Sequence, residues 1–133
     1  MKKLLPKLKA LEQQISSEKG QISLFGLFLR DESPGKWELV ISGPWVDTGQ
    51  LETYEYLAER LHAALSPEER YPISKFLPLK EGSPIVEAIL DEVTTENGIA
   101  EVRDCDFHGI SIRKGYVFTA KRRSEWRPVA ATT

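Results

Sequence analysis

A single cysteine, Cys105, stands in the whole chain. That excludes an internal disulfide framework and any metal cluster built from several thiolates, and it fits a reducing, cytoplasmic setting. Histidine is nearly as scarce, with only His62 and His108. No apolar run approaches the length of a membrane span. The basic opening MKKLLPKLKALEQQ lacks both the uninterrupted apolar stretch and the small-residue cleavage site of a signal peptide. A soluble protein with no membrane partner is therefore expected. Gly26, Gly35, Gly43 and Gly49 are too dispersed for a phosphate-cradling loop, and there is no Gly-x-Ser-x-Gly elbow. Internal repeats and low-complexity tracts are also missing, and no cofactor is expected.

What is present describes an ordinary globular chain. Its 133 residues are 41% hydrophobic and 29% charged, enough to bury a core without covalent staples. The expected organisation is one domain over residues 1–126 and a loose tail over 127–133, which has nothing to bury. A net charge of −2 names no partner, but its distribution is uneven. Both ends are basic, whereas residues 46–101 are rich in acids and hold only Arg60, Arg70, Lys75 and Lys80 as cations. Such asymmetry fits nucleic acid, self-association between unlike patches, or segments that neutralise each other within one fold.

Residues 21–49 hold the clearest structural signals. In 22–30 both faces of an alternating pattern are largely apolar, which suits a strand buried on two sides. Asp31-Glu32-Ser33-Pro34-Gly35 breaks it, and Pro-Gly predicts a type II turn at 33–36. Trp37, Leu39 and Ile41 alternate with Glu38, Val40 and Ser42, so an antiparallel hairpin follows. Asp47 and Gln50 have the spacing of a capping box ahead of a helix. That helix carries Leu51, Tyr54, Leu57, Ala58, Leu61, Ala64 and Leu65 on one face and Glu52, Glu55 and Glu59 on the other.

Around this centre, Leu4, Leu8, Leu11 and Ile15 predict a first helix over 4–17, its stripe either covering the hairpin or forming a dimer seam. Ser66-Pro67-Glu68-Glu69 predicts a capped short turn. Residues 71–80 are extended, with Pro72 and Pro78 limiting them to an edge strand. Ser83-Pro84 opens a helix over 84–93, although Asn97-Gly98 also signals a hairpin. Strands are expected over 99–107, at Ile110 and Ile112, and again from Tyr116 after a turn at Arg113-Lys114-Gly115. The order α-β-β-α-(edge β)-α-β-β-β predicts an α+β fold: an antiparallel sheet of about five strands with helices mainly on one face.

Three groups of residues carry functional readings. Asp104, Asp106 and His108 alternate, so a regular strand would turn two carboxylates and an imidazole to one side. That set suits a divalent cation and an activated water, hence a metal-dependent phosphoesterase or nuclease; the plainer account is a solvated strand face with Cys105 and Phe107 turned inward. Glu101-Val102-Arg103 has arginine where a restriction-type nuclease core has lysine. Arg113, Lys114, Lys121, Arg122 and Arg123, interleaved with Tyr116, Phe118 and Trp126, suggest nucleic-acid binding by stacking and phosphate contact. Trp45, Asp47, Tyr54 and Tyr56 mark a partner or ligand surface, Trp45 being either a lid on the core or an anchor. No nucleophile, base and oxyanion donor converge. The expectation is a non-catalytic protein-interaction module that pairs with itself as a homodimer, or with another protein.

Overall fold

Alternating apolar side chains on either side of a Pro-Gly turn build the centre of the molecule. The computed structural model describes residues 2–46, 49–96 and 98–122. Strand β1 (Leu24–Arg30) pairs antiparallel with β2 (Trp37–Ser42), from Leu24 opposite Ser42 to Leu29 opposite Trp37. Gly35 sits at φ 78°, and the Lys36 N–H donates to the Ser33 carbonyl at 3.2 Å, giving the expected type II turn.

The hairpin is flanked by helix α1 (Leu5–Lys19) before it and by α2 (Leu51–Ala64) and the short α3 (Pro67–Arg70) after it. Strand β3 (Ile73–Pro78), helix α4 (Pro84–Glu92) and strands β4 (Ala100–Phe107) and β5 (Ile110–Ala120) complete the order. The five strands lie as β3-β2-β1-β5-β4. The α+β class holds, but the sheet is mixed, because β3 runs parallel to β2. The reason is α2: a helical crossover carries the chain back to the end where β2 began, so the next strand enters in the same direction. As expected, β3 takes a sheet edge with its prolines, and α4 forms where the hairpin alternative competed.

Both faces of the sheet are covered. Phe25, Leu27, Leu39, Ile41, Tyr116 and Phe118 meet α1 and α2 on one face. Leu24, Phe28, Val40, Ile112 and Val117 meet α4 on the other. Doubly apolar β1 thus receives cover on two sides, and a helix is needed on each. The stripe of α1 is spent inside the chain, since Leu4, Leu8, Leu11 and Ile15 are all buried in the first core; it leaves no dimer seam.

Local departures have local causes. Helix α2 starts at Leu51 with extended Gln50 as N-cap and no side-chain cap bond, one turn later than a cap at Asp47 requires; Asp47 itself lies outside the described residues, as does Asn97. The Ser66 capping box forms as expected, with Ser66 N–H to Glu69 Oε1 at 2.8 Å and Glu69 N–H to Ser66 Oγ at 3.3 Å. Arg113-Lys114-Gly115 is not a turn but the interior of a continuous β5. Gly115 is there because the Phe28 ring lies across it: a Cβ would come within 2.7 Å of the ring and 2.9 Å of Val102 Cγ2. The tail over 127–133 lies outside the described residues. Among the described residues no helix is long and apolar enough to cross a membrane.

Candidate functional site

The turn between β4 and β5 decides how the Asp104, Asp106 and His108 set is used. His108 at φ 53° and Gly109 at φ 86° are the two central residues of a tight hairpin turn. Asp106 Oδ1 accepts from the Gly109 N–H at 2.8 Å, so this carboxylate is engaged in holding the turn. Asp104 sits at φ 47°, which breaks the regular alternation needed to bring the three side chains to one side. Among the described residues no three His, Cys, Asp or Glu side chains group so as to hold a metal ion. Cys105 and Phe107 turn toward the α4 core, and burial pushes the Cys105 thiol above its ordinary range. A thiol so placed is a poor nucleophile. Glu101 accepts from Arg103 Nε at 2.7 Å, which holds its carboxyl below the usual range.

The basic strand residues are drawn into ion pairs with acids from elsewhere. Arg113 lies 3.8 Å from Asp31, Lys114 3.8 Å from Glu101, and Lys121 2.9 Å from Glu96. Arg122 reaches Glu87 at 3.0 Å and also pairs with Asp91. Arg123 and Trp126 lie outside the described residues. Tyr116, 2% exposed, and the fully buried Phe118 belong to the α1/α2 core, where no base can stack on them. Lys7, Lys114, Lys121 and Arg122 from the two basic ends thus each pair with an acid of the middle segment.

The Trp45 region is a built structure. Trp45 Nε1 donates to the carbonyls of Gly20 and Gln21 at 3.2 and 3.0 Å, tying the loop after β2 to the connection between α1 and β1. Its ring meets that of Tyr56 edge-on, 6.5 Å between centroids. Trp37 stacks on Tyr116 within the core, and Trp45 packs half-buried against the same cluster. The Tyr56 hydroxyl donates to Glu18, and Lys19 and Arg60 flank its ring at 4.7 and 5.4 Å. Burial and the Glu18 carboxylate push the phenol up to about 12, while the same bond holds Glu18 below its ordinary range. A cleft of about 230 Å³ opens here between Trp45, Tyr56, Lys19 and Gln50.

One helical turn away, the expected stripe of α2 divides. Leu57, Leu61 and Leu65 are buried, whereas Leu51 is 69% exposed, Tyr54 39% exposed, and Ala58 lies on the outside with them. Positions 51, 54 and 58 form a continuous row along the outer face, bordered by exposed Glu52, Glu55 and Glu59. The seven apolar residues span more of the helix circumference than one sheet contact covers.

A second cleft, about 310 Å³, lies between α1 and the end of β5, with Glu12 among its lining residues. Glu12 escaped the sequence reading, although its position was a signal: with Leu8, Leu11 and Ile15 it occupies the i, i+3, i+4, i+7 stripe of α1. Burial pushes its carboxyl up to about 6, against a hydrogen bond from Thr119 and with the charge of Glu96 adding to the rise. Compared with known proteins, the chain matches no family model, no curated protein and no solved structure.

Proposed function

We propose that the protein is a non-catalytic interaction module whose contact surface is the outer face of α2, and that its first partner is a second copy of itself. The observation that carries this is the row Leu51, Tyr54 and Ala58. Two large apolar side chains stand exposed one turn apart, on a helix whose inward face is already filled by Leu57 and Leu61. Side chains at i, i+3 and i+7 present the seam that a second helix packs against. Trp45 and Tyr56 stiffen the start of this surface, since both are held by hydrogen bonds to α1 or its exit. A reducing cytoplasm fits the half-buried free thiol of Cys105.

The flanking carboxylates give this pairing a recognisable signature. Two copies of α2 bring Glu52, Glu55 and Glu59 toward their equivalents, so added salt screens the repulsion and strengthens the apolar contact. Sedimentation velocity over a concentration series, at low and moderate salt, tests the proposal. A dimer that tightens with salt and dissociates in Leu51→Glu supports it. A monomer throughout, or a dimer indifferent to Leu51→Glu, overturns it.

A further inference from the structure

We infer that the cleft between α1 and the end of β5 is a binding site for a small primary ammonium ion, with Glu12 as its anchor. Strand β5 carries an extra residue against β1, because Gly26 faces Val117 while Phe25 faces Thr119. This bulge gives Phe118 and Thr119 the same side of the sheet: Phe118 joins the α1/α2 core, and Thr119 reaches Glu12 on α1. Bulges are a common way to re-aim a side chain. The consequence here is a carboxylate lodged at the floor of a polar cleft. Glu12 is only 4% exposed, and its Oε1 is buried without a hydrogen-bond partner.

A buried carboxylate oxygen lacking a donor is costly, and a charged donor is its natural complement. The charge around the cleft selects the sign of the ligand. Lys121 lies 2.9 Å from Glu96 and is neutralised by it, while Lys9 on α1, the cation whose charge Glu12 feels, is not among the residues that line the cleft. Two carboxylates therefore face the space against one lysine already engaged, which repels anions and favours a cation. The volume of about 310 Å³ suits a small organic molecule, and the lining supplies oxygen acceptors from Ser16 and Gln21. An ammonium group has three donors and no acceptor, matching a site with one anchoring carboxylate and neutral oxygens beside it. This site is separate from the outer face of α2 and does not depend on the self-association proposed for it.

The pH dependence follows from the anchor. Glu12 titrates at about 6, raised by burial and by Glu96 and lowered by Thr119 and Lys9. Binding of a cation requires the ionised form, so affinity should fall about tenfold between pH 7.5 and pH 5. The test is an amide-shift titration of isotope-labelled protein with methylammonium and with 1,4-diaminobutane, against sodium chloride as control, at both pH values. Saturable shifts at Ser16, Gln21 and Thr119, weaker by about tenfold at pH 5 and lost in a folded Glu12→Gln variant, are expected. No saturable shift where a millimolar site would fill overturns the proposal. So does equal affinity at the two pH values in the wild-type chain, a result that needs no variant to fold. Unchanged binding in Glu12→Gln overturns it as well.

Discussion

The ring of Phe28 ties three positions of the sheet together. It lies over Gly26 on its own strand and Gly115 on the next, and it meets Phe107 edge-on at 6.3 Å. Because Phe107 stands against the ring and Val102 Cγ2 closes on the same spot from the other strand, a new methyl group at Gly115 has little room. Gly115→Ala should therefore destabilise the fold by about 1–3 kcal/mol, the usual range for overpacking. The penalty should shrink in a Phe28→Ala background, where the obstructing ring is gone and Val102 Cγ2 alone remains in the way. Urea denaturation of the two single variants and the double variant measures this coupling, and simple additivity would contradict the assignment. From the sequence, Gly26 was legible only as one member of an alternating face. The close approach it allows depends on β5 lying alongside, a long-range pairing that no local pattern announces.

Elements with local causes were the most legible. The Pro-Gly turn, the Ser66 capping box and the doubly apolar β1 all follow from residues within a few positions of each other, and each forms. Features that depend on what packs opposite were less so. The antiparallel sheet expected from the strand order gave way to a mixed one because α2 acts as a crossover. The turn at Arg113-Lys114-Gly115 dissolved into β5 because the glycine serves a neighbour's ring. Helix α2 shows the same limit: its apolar stripe was visible, but not which part of it would meet the sheet. That division makes a sharp prediction. Leu57→Ala, at a fully buried position, should cost about 2–5 kcal/mol, whereas Leu51→Ala should stay within about 0.5 kcal/mol in the isolated chain. Thermal denaturation at concentrations below any self-association compares them. Equal losses would mean that Leu51 is held by the fold and is no contact surface.

For the molecule as a whole, the uneven charge pattern resolves into pairs that join distant segments: Lys7 with Glu69, Lys121 with Glu96, Arg122 with Glu87. Most are exposed, and such pairs contribute little each. Glu12 stands apart because it is buried and opposes the trend. Its folded chain holds the proton more tightly than the unfolded chain, moving the carboxyl from 4.5 to about 6. The stabilisation linked to that proton is full below pH 4.5 and is lost as pH rises through about 6. It amounts to roughly 2 kcal/mol. Glu69 and Glu101 work in the other sense: their lowered folded values favour the fold above pH 4.5 and lose effect as pH falls. Between pH 4.5 and 7, then, stability should decline with rising pH, against the common pattern in which carboxylates favour the fold once ionised. Glu12→Gln keeps the shape and hydrogen-bonding capacity of the side chain but cannot ionise. It should flatten the decline and leave the variant the more stable form at pH 7. Urea midpoints of both proteins across this range provide the measurement. A wild-type profile that rises through pH 6 would show that Glu12 does not hold its proton in the folded chain, and would place a satisfied, ionised carboxylate at the floor of the cleft.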